Sequence, residues 1–391
     1  MANIAFFIYG IGDLSGGGGA ERFFADFFEK YIKTDNTKFK VYYITDKDSF
    51  LHLKKVGKFN SEKQLLFFRV FSNRFKLYLE YLQLVKFILS YSIKIIHLPL
   101  YNISYLPLLK FLNNLPFFCR PKIVINVSNC YLVPWLSDIN HPKHIQTCNT
   151  YIPLFNEIDV TGYFSWYENF ISFIKNNKFK KSPKTIYAIN SRFSNMDKFY
   201  PDTKKNHIVF ASRLDEQKRP DWFIDAIEII FKTNPTLVSD WKFILCGTGP
   251  LRINLIERSK KRGVYQFIEF KIEAELQHIL NHSLIYVSCQ DYENFPSLTM
   301  AEAMASGNAI VARPVGQTSY FVKDSYNGKI LKEDSPNGVA STLMELMSNL
   351  SETLFMGKNS VEFMNTTHTY NNFKNQIEEF WLSVIASDKH I

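Results

Sequence analysis

The stretch Ser288-Cys-Gln-Asp-Tyr-Glu293-Asn294-Phe295-Pro296-Ser297-Leu298-Thr299-Met-Ala-Glu302-Ala-Met-Ala-Ser-Gly307 decides how the chain is read. Residues 283–288 before it are apolar and strand-like, and 308–312 after it read as another short buried strand. Between them, small residues form a helix that opens near Pro296-Ser297 and closes at Gly307. Proline is tolerated in a first turn because its missing N–H would be unpaired there, and glycine suits the left-handed cap. Free N–H groups at such a helix start face whatever anion lies beyond the strand's carboxyl end. Glu293 and Glu302 bracket that start. The stretch therefore reads as a strand–loop–helix site for a ligand carrying both hydroxyls and phosphate.

The same alternation extends outward. Upstream, 207–211 and 241–246 read as strands, 221–231 as a helix after Pro220, and Gly247-Thr-Gly249-Pro250 as a turn into a further helix. A strand at 268–270 and a helix at 273–281 lead to the opening stretch. Downstream come a glycine turn at Val315-Gly316-Gln317-Thr318 and helices near 337–349 and 371–386. The first half repeats the pattern. Strands are expected at 3–9, 40–45, 65–70, 94–98, 122–127, 158–161 and 185–190, with helices after the glycine turn at 16–19, over 74–91 and near 104–112. The polar, turn-rich segment 190–206 reads as a linker. The expected fold class is α/β, with two Rossmann-like, doubly wound parallel-sheet domains at 1–190 and 191–391. A chain of 391 residues suits two cores better than one.

Composition narrows the classes. At 46% hydrophobic residues, disorder is excluded for the chain as a whole. A net charge of +9 favours acidic partners: a nucleoside diphosphate, an anionic membrane face or a nucleic acid. No nucleic-acid motif accompanies the charge, so nucleic acid is not expected. Cys119, Cys130, Cys148, Cys246 and Cys289 have no metal spacing and read as reduced thiols. No signal peptide is read at the N-terminus, and no uncharged apolar run reaches the length of about 18 residues that a membrane-spanning helix requires. A cytoplasmic protein is expected, with possible contact at the inner face of the membrane. The helix at 74–91 carries Arg74, Lys76 and Lys86 and has the composition to lie on anionic lipid. A crossover helix covering a parallel sheet is its plainer reading.

Three elements of the second half fall at the carboxyl ends of strands, where open α/β sheets bind ligands. They are Ser212-Arg213-Leu214-Asp-Glu-Gln-Lys218-Arg219-Pro220, the Gly247 turn and the Glu293–Glu302 stretch. Arg213 and Lys218 sit in one tight loop, where charge-assisted hydrogen bonds would stabilise a departing diphosphate. In the first half, the turn holding Gly17, Gly18 and Gly19 permits close approach of backbone N–H groups to phosphate. It matches neither the dinucleotide fingerprint nor a P-loop.

On these residues the chain resembles the retaining GT-B glycosyltransferases of family 4, often called group 1 glycosyltransferases. The resemblance rests on Arg-Leu-x-x-x-Lys at 213–218 and on Glu-Asn-Phe-Pro with Glu-Ala-Met-Ala-x-Gly at 293–307. It implies two Rossmann-like domains facing across a cleft, acceptor on the first and nucleotide-sugar donor on the second. The last helix, about 371–386, is expected to cross back to the first domain. The resemblance also implies roles. Glu302 would bind the ribose and Glu293 the donor sugar, and backbone groups of Asn294, Phe295, Pro296, Ser297, Leu298 and Thr299 would contact sugar hydroxyls and phosphate. Arg213 and Lys218 would hold the diphosphate, with Gly17–Gly19 on its far side. No metal or other cofactor is implied, because cations and a helix N-terminus take the charge.

The sequence departs from the family pattern twice. Residues 294–301 make the interval between the glutamates one residue longer than usual, so either the loop carries an insertion or Asn294 stands in the first glutamate's place. The intact block Glu-Asn-Phe-Pro favours the insertion. Ser128-Asn129 also stand where many relatives carry a histidine near the reacting sugar; with His97, they are candidates for the acceptor side. The expected activity is transfer of a sugar from a UDP- or GDP-type donor to a glycan or lipid-linked acceptor in bacterial surface glycan synthesis. A sugar-nucleotide epimerase and a non-catalytic nucleotide-sugar-binding subunit are the alternatives.

Overall fold

The computed structural model describes residues 2–9, 19–34, 37–55, 65–69, 74–127, 140–181, 183–272 and 276–387. The chain divides into two compact units, Met1–Asn190 with Phe373–Ile391, and Ser191–Asn372. Each is an α/β unit around one wholly parallel sheet.

The first unit contains β1 (Ala2–Ile8), β2 (Phe39–Thr45), β3 (Leu65–Phe67), β4 (Ile93–Leu98), β5 (Lys122–Val127), β6 (Gly162–Ser165) and β7 (Thr185–Ala188). Their order across the sheet is β3-β2-β1-β4-β5-β6-β7. The inner strands are apolar along their length because helices cover both faces, leaving no polar alternation to read. One face is closed by the chain's last helix, Tyr370–Ala386, from Phe373 onward. Its Trp381 is fully buried, with its ring 5.5 Å from Phe6. A Cβ on Gly162 would come within 2.8 Å of Val384, so glycine admits the helix to β6. Lys122 Nζ donates to the carbonyls of Val384 (2.7 Å) and Ile385 (3.2 Å), satisfying the helix's last turn. Residues 373–391 thus belong to the first unit rather than to a continuous domain 191–391.

The strand expected at 158–161 forms four residues later, at Gly162–Ser165. Ile158–Thr161 is instead a tight turn, in which Val160 N–H bonds Ile158 O and Thr161 N–H bonds Ile123 O. Glycine at 162 disguises the strand start, since a residue chosen for close helix approach reads as a breaker.

The second unit contains β8 (Lys205–Ala211), β9 (Lys242–Cys246), β10 (Ile268–Lys271), β11 (Ser283–Ser288), β12 (Ala309–Ala312) and β13 (Gly328–Ile330), in the order β10-β9-β8-β11-β12-β13. Chain progression reverses between β8 and β11, which creates a crevice at their carboxyl ends. The helix Leu298–Ala305 leads from β11 toward β12, and Pro220–Thr233 follows β8. Among the described residues, no helix is long and apolar enough to cross a membrane.

Candidate functional site

Arg213 and Lys218 leave the carboxyl end of β8 on one braced loop. Asp215 organises it, accepting from Lys218 N–H at 3.3 Å and from Arg213 Nε at 2.7 Å. Leu214 N–H donates to Thr248 O at 2.8 Å, and Leu251 N–H returns a bond to Leu214 O at 3.1 Å. This docking explains the two glycines of the neighbouring turn. A Cβ on Gly247 would lie 2.0 Å from Ser212 O, and one on Gly249 would lie 2.5 Å from Leu214 O. Packing of the cation loop therefore accounts for glycine at 247. The guanidinium of Arg213 points outward, its side chain 69% exposed.

Lys218 is held differently. Its Nζ donates to Gln290 Oε1, and Gln290 Nε2 donates to Asn294 Oδ1 at 3.0 Å. Asn294 Oδ1 also accepts from Ser288 Oγ at 2.7 Å, while its Nδ2 donates to Thr318 Oγ1 at 2.7 Å and to Arg313 O at 3.1 Å. With no exposed surface and every side-chain hydrogen-bonding position in use, Asn294 is the buried knot joining the loops after β8, β11 and β12. Its side chain cannot take the first glutamate's place on a ligand. The backbone O of Asn294 is engaged too, accepting from Ser297 N–H at 2.8 Å. Phe295 likewise turns inward, its ring 4.9 Å from that of Phe321, and the Leu298 side chain is buried. Of the backbone groups expected to contact a ligand over 294–299, the Phe295 N–H is taken by Glu293 Oε1, and the Asn294 O and Ser297 N–H by each other. Pro296, Ser297 and Thr299 remain half-exposed. Ser297 caps the helix, accepting from Met300 N–H at 3.3 Å.

Glu293 is buried beside the glycine turn after β12. Its Oε1 accepts from Gln317 N–H at 2.7 Å and Phe295 N–H at 2.9 Å. Gly316 has φ +51°, and a Cβ there would lie 2.3 Å from Glu293 Oε2. Burial pushes the Glu293 carboxyl up to about 8, against the opposing pull of the backbone N–H bonds from Phe295, Gln317 and Asn294. It is therefore largely a neutral acid at pH 7. Glu302, also buried, sits in the helix at the same crevice. Burial first, and then the Glu302 charge, hold the hydroxyl of Tyr286 on β11 well above its ordinary range. That hydroxyl donates to Ala211 O at 3.1 Å.

Sequence reasoning passed over Arg313. It leaves the end of β12, pairs with Asp334 (2.6 Å) and Asp291 (2.5 Å), and donates to Cys289 O at 3.2 Å. Its guanidinium lies 4.3 Å from the Trp222 ring centroid, with that of Arg219 at 4.8 Å. The signal was available: an arginine directly after a predicted strand, the same rule that selected Arg213.

His97 is corrected outright. It lies within β4 with no exposed surface, its ring 5.0 Å from Phe6, and it accepts at Nδ1 from Trp381 Nε1 at 3.1 Å. Burial lowers its pKa to about 3, so it is a neutral core histidine rather than an acceptor-side group. Gly17, Gly18, Ser128 and Asn129 lie outside the described residues, and Gly19 begins the helix Gly19–Lys33.

A reversed parallel sheet with a braced cation loop and buried carboxylates at its switch point has the ligand-binding position of open α/β folds. Comparison with known proteins narrows that class. Residues 191–362 match the family model described as glycosyl transferases group 1. The GtfA subunit of a UDP-N-acetylglucosamine–peptide N-acetylglucosaminyltransferase of Streptococcus pneumoniae is 29% identical over 130 residues, 33% of this chain and 25% of that protein. A Campylobacter jejuni α-1,4-N-acetyl-D-galactosaminyltransferase acting on an undecaprenol-diphosphate-linked glycan is 24% identical over 191 residues, 48% of this chain and 50% of that protein. The chain thus spans a quarter to half the length of these curated relatives. The crystal structure of Anabaena HepE with UDP superposes with TM-score 0.70 at 17% identity, covering 98% of this chain and 100% of HepE. The fold is that of the GT-B glycosyltransferases, with two parallel-sheet α/β domains of seven and six strands.

Proposed function

We propose that the protein is a retaining family 4 glycosyltransferase that moves a sugar from a UDP- or GDP-type donor to a hydroxyl of a glycan or lipid-linked acceptor. Its setting is bacterial surface glycan synthesis at the cytoplasmic face of the membrane. The observation that carries this reading is Lys218, fixed by Gln290 at the switch point of a unit that matches the group 1 family model. In the proposed complex, Lys218 and the more exposed Arg213 meet the donor diphosphate, and the helix start at Leu298–Thr299 adds backbone N–H groups. Glu302 holds the ribose. Glu293, as a neutral acid, offers a hydroxyl proton to a donor sugar oxygen while its other oxygen stays on Gln317 and Phe295.

The reaction breaks the bond between the anomeric carbon and the diphosphate oxygen and forms one to the acceptor oxygen on the same face. The acceptor proton passes to the leaving phosphate, so no dedicated base is required. Negative charge accumulates on the diphosphate, where a preorganised cation acts most strongly. Neutralisation by Lys218, Arg213 and the helix start gives this scheme no need of a metal. Lys218→Ala is expected to lower kcat about 10²–10³-fold, the range found for removing one preorganised charge-stabilising donor. Arg213→Ala is expected to act less, since solvent screens an outward guanidinium. Assay of variants against a panel of nucleotide sugars, with slow donor hydrolysis as a readout where the acceptor is unknown, tests this. Full activity of Lys218→Ala at wild-type donor affinity would sink it.

A further inference from the structure

The amino ends of β4 to β7 lie side by side, because these strands pair in parallel, with Ile95 opposite Lys122 and Gly162 opposite Thr185. At this edge a short turn, Phe117–Cys119, carries two adjacent phenylalanines into solvent, Phe117 87% and Phe118 82% exposed. The turn is braced rather than loose. Cys119 is buried beneath it with Sγ 3.4 Å from Pro116 O, its N–H bonds Pro116 O at 3.0 Å, and Arg120 Nε donates to Leu115 O at 2.9 Å. Single exposed apolar residues are ordinary, but a rigidly presented pair of large rings marks a surface made to be covered.

Charge says what covers it. Arg120 is exposed on the same turn, Lys94 on neighbouring β4, and Lys180 and Lys181 in the loop before β7. Among the described residues nearby, Glu157 is paired with Lys110 at 2.5 Å, and Asp159 is an exposed acid beside that row. The helix Arg74–Ser90 packs beside the phenylalanine turn and adds exposed Leu82, Lys86 and Leu89. Glu80 of the same helix turns inward, 3.7 Å from Arg69.

We propose that this edge docks on the anionic leaflet of a lipid bilayer, the two rings entering the acyl boundary and the cations meeting headgroup phosphates. The helix Arg74–Ser90 covers the sheet, and its outer face at Leu82, Lys86 and Leu89 extends the patch. The proposal deepens the membrane contact of the function above and rests on that reading for its setting.

The test is co-sedimentation of the full chain with vesicles of phosphatidylethanolamine and phosphatidylglycerol, and with phosphatidylcholine vesicles, at low and high salt. Wild type is expected to pellet with the anionic vesicles and to be released by salt. Phe117→Ser with Phe118→Ser is expected to lose about tenfold or more in vesicle affinity. Lys180→Glu with Lys181→Glu is expected to lose more than about tenfold, from a loss of roughly fivefold per cation. All four positions are exposed, so an unchanged thermal midpoint confirms folding. Wild type that ignores anionic vesicles, or a double serine variant that binds as wild type does, overturns the proposal. So does a wild-type dimer in sedimentation velocity that the serine changes dissociate, which would assign the patch to a second copy. A thermal shift with UDP or with GDP on the same samples separates the outcomes: absence of both counts against the donor reading, and presence of either with failed vesicle binding counts against the docking edge alone.

Discussion

A carboxyl group whose folded-state pKa stands at about 8 against an ordinary 4.5 couples Glu293 to stability with a definite sign. Between those values the unfolded chain has released its proton and the native chain has kept it. Stability from this group is therefore fully present below about 4.5, falls as pH rises, and is fully lost above about 8. Glu293→Gln keeps an oxygen acceptor for Gln317 and Phe295 and removes the titration. The variant is expected to gain on wild type progressively from pH 4.5 to pH 8 in thermal midpoint, and to hold a constant offset outside that window. A constant offset throughout would show that Glu293 ionises normally. At this scale the sequence placed residues at strand ends but not the direction each side chain takes. Asn294 spends all its hydrogen bonds inward, and His97 faces a tryptophan from the far end of the chain. Such partners, 24 and 284 positions away, leave no local pattern.

The elements that carry the site are tied by glycines whose demands differ, and the difference can be measured. Gly316 has φ +51° and no room for a Cβ beside Glu293, while Gly263 has φ +73° with nothing within 4 Å. Alanine at 263 bears the left-handed backbone penalty of about 1–2 kcal/mol. Alanine at 316 bears the same penalty and must also displace a buried carboxyl, so its loss in urea unfolding is expected to exceed that of Gly263→Ala by at least about 1 kcal/mol. Equal losses would mean that Glu293 moves aside freely. The helix Leu350–Thr366 shows why some elements were illegible. Its inner face sets Thr353, Gly357, Asn359 and Ser360 beside Met356 and Met364, so no continuous apolar stripe runs along it. Gly357 lets the helix approach the Gly307 carbonyl, and Ser360 Oγ bonds Asn308 O at 2.9 Å. Polar, close-packed faces defeat a reading based on hydrophobic period. The strand–helix alternation around the Glu293 stretch has no such interruption, and there the expected order holds from β8 through β12.

For the whole molecule, the sequence's last helix completes the first unit's core, so the two ends of the chain share one stability. Trp381 is fully buried, packs against Phe6 and Phe39, and donates to His97. Trp381→Ala removes that volume, and core tryptophan truncation typically costs about 3–5 kcal/mol. It also strips the His97 Nδ1 of its donor, leaving a buried acceptor unpaired. The second unit builds its own core from residues within 191–372, including Phe223, Phe243 and Leu343. Hydrogen exchange on the full-length variant should therefore show protection falling in peptides of β1, β4 and β6 while β8, β9 and β11 keep theirs. Binding of UDP or GDP, which the proposed function places on the second unit, should persist through that loss. A uniform fall in both units would show that they unfold as one cooperative block.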